Sequence, residues 1–297
     1  MNNTYNGFFA IIGKANVGKS TILNALVGER VSIVSRKPQT TRNKVQGILT
    51  KDDKQMVFID TPGYHLPRTK LGEFMVKEVK NSLEDTDAIV MVTEVDKVAH
   101  KAELELIGML EKLDIPVILV VNKIDMIKKD ELLTIIAKYD SLYKFNCIIP
   151  ICAKTGEGID DLYAELEKHM VPGPFFYDKD MITNQNERDM VAEIIREKAL
   201  RLLHEEIPHG IAVEIMEYKE DEDITRIEAD IFCEKESHKS IIIGKKGEML
   251  KKISTFARED IEELIDTSVY LRCFVKVRGD WRDNATHLKN FGYSNKK

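Results

Sequence analysis

A chain of 297 residues, 43% apolar and 32% charged, is long enough for two cores and too apolar in pattern to be disordered. Its net charge of −6 excludes gross nonspecific binding to nucleic acid while leaving local basic patches open, and no run approaches the ~18 apolar residues of a membrane span. Cys147, Cys152, Cys233 and Cys273 form neither a CxxC pair nor a disulfide scaffold, so they read as free thiols in a reducing cytoplasm.

The N-terminal MNNTYNGFFAIIG lacks the marks of a signal peptide and reads as a first strand leading into a glycine loop. Short Ile- and Val-rich runs then alternate with segments of helical period: FFAII with VGKSTILNALVG, DAIVMVTEV with AELELIGMLEKL, PVILVVN with DELLTIIAKYDSL, and CIIPIC with IDDLYAELEKHM. That alternation predicts a parallel sheet flanked by helices. VQGILT and QMVFID are separated only by KDDK, too short for a crossover helix, so they should pair antiparallel at the sheet edge. Pro172, Gly173 and Pro174 stop the pattern, which places a first domain at 1–172, a linker at 173–182 and a second domain at 183–297. Beyond the linker come the helix ERDMVAEIIREKALRLLHEE, the strands GIAVEIMEY and TRIEADIFCE, a GKKG segment with its helix, and the strand VYLRCFVKVRG. The order α-β-β-α-α-β marks an α+β domain, and EYKEDED is a solvated turn between its first strands.

GKANVGKS, Gly13 to Ser20, fits G-x-x-x-x-G-K-[ST] between a strand and a helix, the context a phosphate-binding P-loop requires. Gly13 and Gly18 permit the tight turn whose amides face the phosphates, Lys19 brings charge to the β/γ-phosphates, and Ser20 offers a hydroxyl to Mg2+. Asn16, Val17 and Thr21 complete the phosphate-facing set. DTPG, Asp60 to Gly63, follows QMVFI, so Asp60 emerges at the carboxyl edge of the sheet to hold Mg2+ while the Gly63 backbone senses the γ-phosphate. NKID, Asn122 to Asp125, selects the base, because the Asp125 carboxylate accepts from N1–H and N2–H2 of guanine and repels the acceptor that adenine presents. A buried carboxylate left unpaired by the wrong base supports discrimination of ~10⁴. Asn122 ties this loop to the P-loop or contacts guanine, and Lys123 lays its stem along the base. CAK, Cys152 to Lys154, offers the Ala153 amide to guanine O6.

GKKG, Gly244 to Gly247, lacks the P-loop spacing and the hydroxyl after lysine, and matches the GxxG loop by which a KH domain clamps about four nucleotides of a single strand. Ile243, Gly244, Lys245, Lys246, Gly247 and Lys251 form the candidate RNA-binding set. Ile241, Ile242 and Ile243 line one side of the loop, while Met249, Leu250, Ile253 and Phe256 recur with helical spacing on the other.

In this order GKANVGKS, TTR, DTPG, NKID and CAK resemble the translation-factor-like class of small GTPases, and PQTTRNKVQGI resembles the Era family within it. CAK stands where that family usually has SAK, a change that touches loop rigidity. IIREKALRLLHEEIPH, IIIGKKGEMLKKI and VKVRGDWRDN resemble the family's carboxyl-terminal region, so the likeness covers essentially the whole chain. It implies an α/β P-loop GTPase domain, mostly parallel with one antiparallel edge strand, followed by an α+β type II KH domain. It implies a switch that binds GTP and GDP with Mg2+, hydrolyses GTP to GDP and phosphate, binds the 3′ end of small-subunit ribosomal RNA and assists assembly of the small ribosomal subunit. A cytoplasmic monomer with peripheral contact at the inner face of the cell membrane is the expectation. Switch I falls on Pro38, Gln39, Thr40, Thr41 and Arg42, with Thr41 the Mg2+-sensing threonine and Thr40 the alternative. Asn16 resembles the asparagine of potassium-activated relatives, which implies a K+ site beside the phosphates. Tyr64 occupies the place of the water-orienting glutamine of Ras-like enzymes and, as a phenol, should point away.

Two other classes share parts of this pattern. A P-loop kinase for a small molecule would use GKS and Asp60 but leave NKID and TTR without a role. An RNA-binding module with a structural nucleotide would keep both loops without turnover.

Overall fold

The computed structural model describes residues 4–35, 37, 39–96 and 98–293. The chain divides into two units. The first runs through Val34 and then takes Thr41–Pro67 and Met75–Asn184; the second holds Ser35–Thr40, Arg68–Phe74 and the chain from Gln185 onward.

The first unit is built on a seven-stranded sheet whose main path is β2-β3-β1-β4-β5-β6. Its strands are β1 (Tyr5–Gly13), β2 (Val45–Lys51), β3 (Lys54–Asp60), β4 (Ala88–Glu94), β5 (Val117–Asn122) and β6 (Cys147–Pro150). β3, β1, β4, β5 and β6 run parallel, and β2 pairs antiparallel with β3 from Val45↔Asp60 to Lys51↔Lys54. Side chains alternate between two cores: Phe9 and Ile11 of β1 join one cluster, Ala10 and Ile12 the other. Both faces are covered, which is why the central strands read as unbroken apolar runs. α1 (Lys19–Val27) and α5 (Ile159–Glu167) supply Leu23, Leu26, Leu162 and Leu166 to the first cluster. The opposite cluster takes Val79 of α2 (Lys70–Asn81), Leu106 of α3 (Lys101–Leu110) and Tyr139 of α4 (Lys129–Leu142).

One strand is not legible in the apolar pattern. β7 (Val171–Pro172) pairs antiparallel with β1 at Asn6↔Val171 and Tyr5↔Pro172, inside a stretch whose prolines and glycine read as a break. Pro172 needs no donor of its own there, because Gly173 N–H bonds Thr4 O at 2.9 Å and Asn6 Nδ2 donates to Pro174 O at 2.9 Å. Residues 173–182 continue along the same unit: the Gln55 side chain accepts from the amides of Phe176 (2.8 Å) and Tyr177 (3.0 Å).

The second unit carries a three-stranded sheet in the order β10-β9-β8. β8 (Ala212–Glu220) is antiparallel to β9 (Thr225–Cys233), and β10 (Val269–Val277) is parallel to β9. One face of the sheet is covered by α6 (Glu187–Leu202), α7 (Glu236–Ile243) and α8 (Glu248–Ile265), through Ile195, Ala199, Ile242, Ile253, Ala257 and Ile261. Trp281 is fully buried with its indole N–H on Gly210 O at 2.9 Å, and α9 (Ala285–Asn290) follows it. No helix of the described residues is long and apolar enough to cross a membrane.

Candidate functional site

β1 ends at the point where the chain moves from its β3 side to its β4 side, the switch point of an open sheet, and the loop Gly13–Gly18 leaves from there into α1. Gly18 has φ +102, and a Cβ on it would lie 2.2 Å from Asn122 Nδ2, so only glycine lets the two loops meet. Asn122 closes that junction. Its Nδ2 donates to Val17 O at 2.8 Å, and its Oδ1 accepts from Lys123 N at 2.8 Å and Ala153 N at 3.0 Å. Of the two roles open to Asn122, the structure shows the tie between loops. The Ala153 amide, expected to face guanine O6, donates to the buried Asn122 Oδ1, which satisfies that carbonyl.

The buried Lys19 donates to Gly13 O (3.2 Å) and Lys14 O (3.0 Å). Burial lowers its ammonium to about 8, with the Asp60 carboxylate opposing the shift. Asp60, fully buried, receives Ser20 Oγ at 2.6 Å, Ser32 Oγ at 3.0 Å and Thr41 Oγ1 at 3.4 Å, all on Oδ2. Oδ1 is buried without a hydrogen-bond partner. A carboxylate oxygen with no donor, two hydroxyls 3.0 Å apart and an N-terminal helix turn make an oxygen-rich site suited to Mg2+. Burial raises the Asp60 carboxyl, against Lys19 and the three hydroxyls, and a divalent cation there would hold it ionised. Thr41 is the threonine beside Asp60, because Thr40 turns its hydroxyl to Lys37 O at 2.6 Å. Among the other switch I residues, Gln39 adopts φ 60 and Arg42 is buried, while Pro38 lies outside the described residues. Within the second unit, the buried Arg196 guanidinium donates to the carbonyls of Gln39 (3.4 Å) and Thr40.

Gly63 passes so close to the P-loop that a Cβ would sit 2.6 Å from Ala15 Cα. Tyr64 points away from this site: its ring lies in the α2–α4 core, and its hydroxyl donates to Glu105 Oε2 at 3.0 Å. Burial and that carboxylate push its phenol up to about 12.

In the NKID turn, Lys123 has φ 67 and Asp125 lies in a short 3-10 turn, Ile124–Met126. The Cys152 thiol donates to Asp125 Oδ1 at 3.2 Å, so the thiol in CAK orients the candidate base reader. Lys154 is exposed. Three participants have no motif to announce them. Ser32 reaches Asp60 because Asn24 of α1 accepts from the amides of Val31 (3.1 Å) and Ser32 (2.9 Å). Glu94 bridges Lys14 and Lys123 from the carboxyl end of β4, a sheet-edge position that could have flagged it.

In the second unit the GxxG loop joins α7 to α8 through left-handed backbone: Gly244 has φ +73, Lys246 φ 52 and Gly247 φ +81. A Cβ on Gly244 would meet Met249 Cβ at 2.8 Å, whereas one on Gly247 would meet open space. Lys245, Lys246 and Lys251 are exposed, and Ile243 is half-buried. One expectation about the flanks is corrected, and the helical spacing on the other side holds in α8. Ile241, Ile242 and Ile243 do not line one side, because they lie on a helix: Ile242 is core and Ile241 is 50% exposed. Phe256 is 44% exposed, since the buried seam of α8 runs Ile253, Ala257, Ile261 at steps of four.

The profile of 50S ribosome-binding GTPases matches residues 8–123, and that of the KH domain matches residues 206–282. A P-loop GTPase domain followed by a KH domain is therefore the class of this protein. GTPase Era of Clostridium botulinum is 51% identical over 292 residues, 98% of this chain and 99% of the relative, and that of Clostridium kluyveri is 51% identical over 288 residues, 97% and 98%. A crystal structure of Era in complex with MgGDPNP and nucleotides 1506–1542 of 16S ribosomal RNA is 39% identical with TM-score 0.94, covering 98% of this chain and 100% of its own. An Aquifex aeolicus Era variant bound to GDP·AlF4− is 38% identical with the same TM-score and coverage. The chain belongs to the Era family of GTPases.

Proposed function

We propose that this GTPase is a switch that binds the 3′ end of small-subunit ribosomal RNA and assists assembly of the small ribosomal subunit. The observation that carries the reading is the buried Asp60 cluster with its donorless Oδ1 in a chain that also presents an exposed GKKG loop. The RNA-bound relative holds a magnesium nucleotide and a 16S fragment together. We assign residues 1–172 to the nucleotide, 183–297 to RNA and 173–182 to the connection.

In this reading Gly13, Asn16, Val17, Gly18, Lys19, Ser20 and Thr21 cradle the phosphates with the positive end of α1, and the Gly63 backbone senses the γ-phosphate. Ser20, Thr41 and Asp60 hold Mg2+, whose charge would offset that of the β- and γ-phosphates. Asp125 reads guanine, Asn122 ties its loop to the P-loop or contacts the base, Lys123 covers the base, and Cys152, Ala153 and Lys154 complete the site with the Ala153 amide toward O6. Gln39, Thr40, Thr41 and Arg42 belong to the segment that responds to the γ-phosphate. K+ beside Asn16 is the finer proposal for charge stabilisation. Ile243, Gly244, Lys245, Lys246, Gly247 and Lys251 receive the RNA backbone, with a salt-dependent share from the lysines. The protein works in the cytoplasm as a monomer, with peripheral contact at the inner membrane face as a separate proposal.

The test is phosphate release from GTP and from ATP, with and without RNA carrying the 3′ sequence of the small-subunit rRNA. Turnover of GTP alone, accelerated by that RNA and not by a scrambled one, supports the reading. ATP turnover at the same rate, or indifference to the RNA, contradicts it.

A further inference from the structure

We propose that Glu94 is a positioning residue that locks the phosphate loop to the base-reading loop before a nucleotide arrives. The last residue of β4, it places Oε1 2.9 Å from Lys14 Nζ and Oε2 2.6 Å from Lys123 Nζ. Lys123 Nζ also donates to Asn16 O at 2.8 Å. One carboxylate thus holds the second residue of the GKANVGKS loop and the lysine of NKID, and that lysine in turn reaches the loop's fourth residue. The three side chains are sheltered, at 15% exposure for Lys14, 27% for Glu94 and 31% for Lys123, so the bridge is screened less than a surface pair. Burial pushes the Glu94 carboxyl up, but the two ammonium groups outweigh it and hold the carboxyl below its ordinary range.

The consequence follows from side-chain entropy. A free lysine stem samples many rotamers, and fixing it at the moment of binding costs affinity. Lys123 enters from a left-handed backbone position and has its Nζ fixed by Glu94 and Asn16 O, so its aliphatic stem is held in place before a base arrives. Asn122 joins the same two loops through Val17 O, at 2.8 Å, but its amide carries no charge and leaves Lys14 and Lys123 ungathered. Asp96 approaches Lys14 at 3.8 Å, too far to replace Glu94. Loss of the bridge should therefore appear as faster nucleotide release, with the fold intact.

The inference rests on the reading that these loops hold a guanine nucleotide. Release of fluorescent mant-GDP is measured by stopped flow for the full-length chain, for Glu94→Gln, Lys14→Met and Lys123→Met, and for both double variants with Glu94→Gln; thermal unfolding of each is recorded without nucleotide. Glu94→Gln should release mant-GDP about tenfold faster with an unchanged melting temperature, and less than about twofold faster than its partner variant in either lysine background, because the coupling is already gone. Should Glu94→Gln not fold, Lys14→Met, which cuts one arm, is expected to speed release by a smaller factor. Wild-type release from Glu94→Gln or, failing it, from Lys14→Met, or the same acceleration in all backgrounds, overturns the inference. If the wild-type chain binds no mant-GDP, the nucleotide reading itself fails.

Discussion

The thiol of Cys152 donates to Oδ1 of Asp125 across 3.2 Å, so the carboxylate assigned to guanine is aimed by a sulfur. A thiol is a weak donor, and a hydroxyl in its place would bind the carboxylate more strongly. Cys152→Ala should weaken mant-GDP binding roughly fivefold, because Oδ1 loses its donor. Cys152→Ser should bind at least as tightly as the wild type in the same titration. Equal affinity in all three would remove the side chain from the base site.

Asp125→Asn turns an acceptor pair into one acceptor and one donor, which suits the carbonyl that xanthine presents where guanine has an amine. GTP affinity should fall by ~10² or more while XTP binding appears. Competition of the two nucleotides against mant-GDP reads both effects, and an unchanged preference for GTP would contradict the assignment.

The alternation that announces the first sheet is legible because β4 and β5 are covered on both faces, so burial fills both with runs of apolar residues up to their carboxyl ends. Asp60 and Lys19 are legible for a related reason: phosphate and metal chemistry restricts residue type at a given spacing. Ser32 is not, since its contact with Asp60 depends on Asn24 holding the chain eight residues away, and no local pattern records that bond. The occupied Ala153 amide is invisible for the same reason. Its partner lies 31 residues back in the chain. β7 escapes notice because two residues pinned by backbone hydrogen bonds need no apolar signature.

Tyr64 should be dispensable for turnover and modestly useful for stability. Its hydrogen bond to Glu105 makes Tyr64→Phe less stable by about 1 kcal/mol in urea unfolding at pH 8. The folded phenol is pushed up to about 12, above its unfolded value of about 10. That contribution is therefore fully present below pH ~10 and shrinks as pH rises toward 12. Single-turnover hydrolysis by Tyr64→Phe should match the wild type between pH 7 and 9, and a large loss would return the tyrosine to the mechanism.

Asn16, exposed at φ 67 in the P-loop, is the residue on which the K+ proposal rests. Hydrolysis should be faster in K+ than in Na+ at equal ionic strength, by on the order of tenfold and below the ~10³–10⁵ an arginine supplies. Asn16→Ala should erase the difference. Equal single-turnover rates of the wild type in the two salts would end the cation proposal.

If the chain holds two separable phosphate sites, a change at Gly247 should disable one and spare the other. A side chain there meets open space within the protein, so Gly247→Asp adds a charge and a strained φ at the loop without a clash. Anisotropy titrations of an RNA carrying the 3′ end of the small-subunit rRNA, run from low to high salt beside mant-GDP titrations of the same preparation, measure both sites. RNA affinity should fall at least ~10-fold with a shallower salt slope, while mant-GDP affinity stays within about twofold. Wild-type RNA affinity across the salt series, or a parallel loss of mant-GDP binding, would contradict two separate sites.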